Sequence, residues 1–159
     1  QARALHAATA EARGADSEAI ERYEKALALA PEMPTLLHGL ANLNRRQGRL
    51  QKARQFAERM VTAAPLSAEA HDTLGAIHLA LDDLDGADQA LHKALAINPE
   101  HRGANEYLGE LYLQTGRLKK AEERLALLDR VCWLGCDAYT DLKHAVDQFK
   151  KTGKYTATD

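Results

Sequence analysis

Two cysteines, Cys132 and Cys136, are the only thiols in this 159-residue sequence, and they stand four positions apart. A disulfide can join residues at this spacing where the chain turns, and Gly135 permits such a turn. Buried free thiols, or a metal or redox site, are the alternatives. A metal site needs two further ligands, and only His144 and Asp137 are close in sequence. A redox site would ordinarily use a CxxC spacing, which the pair lacks. We therefore treat the pair as a disulfide candidate and leave the alternatives open.

The seven histidines are a second group that could carry chemistry. His71 and His78 lie seven positions apart, so a helix would place them on nearly one face. Both fall at packing positions of a repeat that runs through the sequence, which favours structural roles. The sequence contains no Gly-rich phosphate loop, Ser/His/Asp order or metal-spaced cluster. We therefore expect no enzyme activity, no cofactor and no metal site.

Composition limits the classes of partner. The chain is 45% hydrophobic and 28% charged, with a formal net charge of -2. This balance provides no overall positive field for attracting nucleic acid. No apolar run approaches the roughly 18 residues that a bilayer span requires. We expect neither nucleic-acid binding nor membrane insertion of this chain.

A 34-residue period organises most of the sequence. Pro31, Pro65 and Pro99 recur at this interval, and so do Ala19, Ala53 and Ala87. Within each period an apolar pattern of helical spacing appears twice, separated by a turn signal. The turn signals are Gly14, Gly48, Asp82-Asp83 and Gly116. The period predicts an all-α fold of four helix-turn-helix repeats, at about 1–33, 34–67, 68–101 and 102–134.

The segment after the fourth repeat predicts a terminal helix. Tyr139, Leu142, Val146 and Phe149 recur at helical spacing among charged residues. An amphipathic helix over 137–150 would cap the exposed apolar edge of the last repeat. We expect a single domain over 1–150 and a flexible tail over 151–159.

Small and large apolar residues recur in step with the period. Leu40-Ala41, Leu74-Gly75 and Leu108-Gly109 are one repeat apart in the first helices, and Leu50, Leu84 and Leu118 open the second helices. In these residues the chain resembles the tetratricopeptide repeat family. The resemblance implies an α-α superhelix, a right-handed solenoid whose first helices line a concave surface. Arg3 and His6 depart from it, because those positions of the first helix are normally apolar.

The resemblance also implies that a partner binds the concave surface. The residues that the register places there form a basic group and an acidic group, and a partner segment with a basic stretch would suit the latter. The alternative is that these charges only solvate helix faces. The candidate contact residues are His38, Asn42, Arg45 and Arg46 in repeat two, Glu69, Asp72 and Leu79 in repeat three, and Glu106, Glu110 and Leu113 in repeat four.

The cysteine segment LDRVCWLGCDAYTDLKHAV resembles the end of exported bacterial tetratricopeptide proteins that carry a paired-cysteine cap. That resemblance favours the bacterial periplasm or another exported location, with the cytoplasm as the alternative. The expected function is a non-catalytic scaffold or adaptor that binds a protein or peptide. One alternative is an assembly subunit that oligomerises or docks through its uncapped first repeat and the apolar loop of Trp133 and Leu134. A minor alternative is a small redox or metal-handling protein.

Overall fold

A computed structural model describes the backbone of residues 2–157 and the side chains of residues 14–157. This part of the chain contains eight α-helices and no strand, so the predicted all-α, helical-repeat class is confirmed. The chain forms two compact units, Gln1–Pro65 (unit 1) and Leu66–Asp159 (unit 2). The single domain expected over 1–150 stays a prediction, and each unit is described separately.

Unit 1 contains three helices. They are α1 (Ala2–Leu29), α2 (Pro34–Arg46) and α3 (Leu50–Ala63). The turn predicted at Gly14 is wrong, because α1 continues through this residue without a break. Alanine-rich flanks favour helix strongly, and an interior glycine costs only about 1 kcal/mol of helix stability. The first repeat is therefore one long helix, and the side chains of Arg3 and His6 lie outside the described residues.

Unit 2 contains five helices. They are α4 (Ala68–Ala80), α5 (Leu84–Ile97), α6 (Arg102–Gln114), α7 (Leu118–Val131) and α8 (Asp137–Thr152). Side chains cap three of them: Ser67 Oγ accepts from the Ala70 amide, Asp83 Oδ1 from Gly86 and His101 Nδ1 from Ala104. Such caps satisfy backbone donors that have no partner within the helix.

The predicted turns and helix ends are confirmed outside α1. Gly48, Asp82 and Gly116 have positive φ angles of 73°, 58° and 74°, which end the first helix of each pair. Pro31, Pro65 and Pro99 each lie two residues beyond a helix end. The equivalent position after α7 holds Trp133, inside the cysteine pair.

The core of unit 2 surrounds α6. Every residue from Leu108 to Leu113 is buried, because α4, α5, α7 and α8 all contact this helix. Close packing against α8 uses Gly109, where an added Cβ atom would lie 2.6 Å from Leu142 Cδ2. Leu142 itself is fully buried. The terminal helix thus covers one side of α6.

The described residues after position 150 continue α8 and then contact the core of unit 2. Helix α8 extends to Thr152, two residues beyond the predicted boundary, and Gly153 ends it with a positive φ of 69°. Tyr155 then packs against the core of unit 2. Residues 151 and 152 thus continue α8 and Tyr155 contacts the core, while the flexibility expected over 151–159 stays a prediction.

Candidate partner-binding surface

The basic candidate residues lie on α2 of unit 1. Asn42 Nδ2 lies 3.0 Å from His38 Nε2, so these two side chains form a polar pair one helical turn apart. Arg45, further along the helix, is partly exposed. Arg46 binds Asp16 of α1, with 2.7 Å between Nη2 and Oδ1. Arg46 thus already has a partner within unit 1, although 61% of its side chain remains exposed.

The acidic candidates lie in unit 2, where helices α4, α6 and α8 bring carboxylates together around Glu106. We call this group the acidic face; it consists of Asp72, Glu106, Glu110, Asp137 and Asp141. Two of these residues, Asp137 and Asp141, are exposed on α8. They were absent from the predicted site, because the amphipathic pattern of α8 indicated only a capping role.

The pKa of Glu106 reflects the negative charge of the acidic face. Its pKa is raised to about 8, first by burial and then by the charges of Glu110, Asp141, Asp72 and Asp137. Burial and like charges both disfavour the ionised carboxyl. Glu106 is therefore largely protonated at neutral pH. A cation brought to this face would favour its ionised form.

His101 lies beside the same face. Its Nδ1 accepts a hydrogen bond from the Ala104 amide and lies 3.9 Å from Asp72 Oδ2. Burial lowers the pKa of His101, and the charge of Glu69 opposes this effect only in part. A neutral imidazole suits its acceptor role as the α6 cap. His101 therefore does not neutralise the carboxylates near neutral pH.

Two predicted contact residues are not available at the surface. Leu113 is 1% exposed and belongs to the core, while Glu110 is 8% exposed. The helical register correctly placed them on α6, but this helix is covered on several sides. The Tyr155 hydroxyl donates to Glu110 Oε2 at 2.9 Å. Burial next to this carboxylate raises the pKa of the tyrosine well above its ordinary value.

The remaining candidate contact residues of unit 2 are less deeply buried than Leu113 and Glu110. Glu69 is exposed, Leu79 is partly exposed, and 14% of the Asp72 side chain is accessible. Sequence reasoning missed Tyr155, which carries the only aromatic side chain after α8. A glycine directly after an amphipathic helix, followed by an aromatic residue, was the available signal.

The cysteine pair lies between α7 and α8. The two Sγ atoms are 2.12 Å apart and the Cα atoms 5.6 Å apart, a geometry compatible with a disulfide. The intervening loop exposes Trp133 (80%) and Leu134 (81%). His144, named in the metal alternative, is exposed on α8. Among the described side chains, no three His, Cys, Asp or Glu residues gather into a metal-binding group.

The described helices also lack a membrane span, since none combines the length and apolar character needed to cross a bilayer.

The two histidines expected at packing positions, His71 and His78, differ in their environment. His71 is buried. His78 Nδ1 lies 2.9 Å from Asp83 Oδ2, next to the turn between α4 and α5.

Comparisons with known proteins identify the repeat. Two family models, both described as tetratricopeptide repeat, match residues 10–68 and 78–131. The general transcriptional corepressor trfA of Dictyostelium discoideum is 33% identical over 116 residues, which are 72% of this chain and 8% of the corepressor. The FK506-binding protein-like protein of Rattus norvegicus is 35% identical over 107 residues, which are 62% of this chain and 30% of that protein.

The chain thus spans less than a third of either relative. Among solved structures, the crystal structure of MamA aligns with a TM-score of 0.69 and 26% identity, covering 89% of this chain and 82% of MamA. Fold, period and family models agree. The chain belongs to the tetratricopeptide repeat family.

Proposed function

We propose that this chain is a non-catalytic interaction module and that the acidic face of unit 2 binds a basic segment of a partner protein. Tetratricopeptide repeats bind proteins or peptides, which supports the general role. The observation that carries the finer proposal is that α4 and α8 both pack against α6, and carboxylates of all three helices act electrostatically on Glu106. A lysine or arginine placed there relieves their mutual repulsion.

A labelled tetralysine peptide, with uncharged tetraglutamine as the matched control, tests the proposal by fluorescence anisotropy at low salt. The informative variant is Asp137→Asn with Asp141→Asn, which removes two exposed charges with little change in side-chain shape. The control variant, Glu123→Gln with Asp129→Asn, removes the same charge from exposed positions of α7. We expect about five- to ten-fold weaker tetralysine binding for the α8 variant alone. If both variants weakened tetralysine binding equally, the loss of net charge alone would explain the effect, and the proposal would be overturned.

The basic residues of α2 are proposed as a second contact surface, on unit 1. His38, Asn42 and Arg45 are partly exposed along one helix. They would bind polar or acidic groups of the partner, with Arg45 as a hydrogen-bond donor. Arg45→Gln is expected to weaken binding of a labelled tetraglutamate peptide, measured by fluorescence anisotropy, since it removes a cation from α2.

We further propose that the chain works in an oxidising compartment, the bacterial periplasm. The disulfide-compatible geometry of Cys132 and Cys136 supports this proposal. Intact mass of the protein from its native source, measured without reductant, should be two hydrogens below the reduced mass. Stoichiometric alkylation of both thiols in the native protein would favour the cytoplasm.

An assembly role is the second candidate function. It is favoured by the adjacent exposed side chains of Trp133 and Leu134, since large apolar residues at a loop tip are typical docking contacts. Sedimentation equilibrium over a range of concentrations separates the candidates. A stable oligomer that Trp133→Ser with Leu134→Ser dissociates would establish assembly. If the protein stayed monomeric at all concentrations, self-assembly through this loop would be ruled out.

A further inference from the structure

The residues after α8 place an aromatic side chain against the acidic face. Tyr155 is 45 positions from Glu110 in sequence, and its hydroxyl donates to the buried carboxylate at 2.9 Å. The ring is half-buried against the core of unit 2, and Gln114 is a second hydrogen-bond partner of the hydroxyl. A tyrosine of the chain itself thus occupies the hydrogen-bonding position at Glu110.

The rest of this segment is held mainly by local contacts. The Gly153 amide donates to Phe149 O at 2.8 Å, and the Thr152 hydroxyl pairs with the backbone of Lys154. Lys154, Thr156 and Ala157 are exposed, so Tyr155 is the only inward-facing residue among 154–157. A segment with a single aromatic anchor can dissociate without unfolding the helices beneath it.

The Tyr155 side chain lies beside a cleft that could hold a segment of another protein. An open cleft of about 560 Å³ is lined by Leu84, Gln114, Phe149 and Tyr155, among others. Its lining combines apolar side chains with polar groups near the hydroxyl, as ligand-binding clefts commonly do. All of these residues belong to unit 2.

We propose that the Lys154-Tyr155 segment is a tethered ligand of the acidic face, and that a partner displaces it with its own tyrosine flanked by a basic residue. This inference rests on the proposed function and names the chemistry that the site recognises. Glu110 accepts the hydroxyl hydrogen bond, and it belongs with Asp137 and Asp141 to the carboxylates that act on Glu106, whose combined charge would attract the partner's basic residue. A tethered ligand lowers the apparent affinity of any competitor by the fraction of molecules that it leaves open.

The test compares the full chain with its Tyr155→Ala, Tyr155→Phe and Thr156→Ala variants. The probe is a labelled peptide of residues 152–157, Thr-Gly-Lys-Tyr-Thr-Ala, with a Tyr-to-Ala peptide as its control. Tyr155→Ala should increase affinity for the probe about ten-fold, the gain expected when a segment closed in about nine molecules of ten is released. Tyr155→Phe should give a smaller increase, because the ring stays and only the hydrogen bond is lost. Thr156→Ala and the control peptide should show no gain.

Two outcomes separate this inference from the proposed function. If tetralysine binds the wild-type protein and Tyr155→Ala leaves probe affinity unchanged, the basic-segment proposal stands and the tethered ligand is overturned. If neither peptide binds any variant, both proposals fail. Circular dichroism of Tyr155→Ala distinguishes these results from unfolding, and Tyr155→Phe provides the second readout if that variant does not fold.

Discussion

At the scale of single residues, the environment of Glu106 explains how an acidic surface can persist within a folded repeat. Its carboxyl group is partly buried and is affected by the charges of four other carboxylates, and its pKa of about 8 keeps it largely neutral near pH 7. Protonation limits the repulsion that the fold must tolerate. The same group can ionise when a cation arrives, so partner binding is expected to release protons.

The stability of the protein should therefore depend on the protonation of Glu106. The pKa is near 8 in the folded protein and 4.5 ordinarily, so the folded state binds more protons between these values and loses stability as pH rises through them. From about pH 5 to about pH 9, the wild-type protein should lose roughly 1–3 kcal/mol more stability than Glu106→Gln, a figure reduced for the group's partial exposure. Urea unfolding of both proteins at the two pH values checks this expectation. Parallel profiles would show that Glu106 titrates normally.

At the scale of helices, the proline period predicted most boundaries and failed where packing or propensity decided the outcome. The turn signals at Gly48 and Gly116 have the expected left-handed conformation, whereas Gly14 lies within a helix. A glycine alone does not end a helix whose neighbours favour it. The period carries no information on the residues beyond the final helix, so the position of Tyr155 could not be predicted from it.

Gly14→Ala tests the continuity of α1. No atom lies within 4 Å of an added Cβ atom at this position. Alanine in an exposed helix interior should raise the free energy of unfolding by about 0.5–1 kcal/mol. Thermal and urea unfolding measure the change. A loss of stability would indicate that Gly14 occupies a turn after all.

Gly109→Ala tests the packing of α6 against α8, with the opposite expected sign. The added Cβ atom would lie 2.6 Å from Leu142 Cδ2, so the variant should lose about 1–3 kcal/mol of stability. Leu142→Ala in the same chain should relieve the clash, making the double variant less destabilised than the sum of the two single changes. Strict additivity in this double-mutant cycle, followed by urea unfolding, would place the α8 contact elsewhere.

At the scale of the whole molecule, a net charge of -2 conceals two groups of opposite sign, one in each compact unit. The sequence predicted both groups, because the repeat register assigns residues to helix faces. It could not predict that α6 is enclosed, since burial of Leu113 and Glu110 depends on neighbouring helices rather than on helical periodicity. The contribution of Asp137 and Asp141 to the acidic face could not be predicted for the same reason, because it depends on the packing of α8 against α6.

The assignment of the acidic face as the partner-binding surface is tested most directly by locating peptide binding on the intact protein. Backbone amide chemical shifts, recorded by NMR while tetralysine is added at low salt, should change most along α4, α6 and α8 around Asp72, Glu106 and Asp141. The exposed positions of α7, including Glu123, should change little. Changes confined to α7 or to unit 1, or no changes at all, would contradict the assignment.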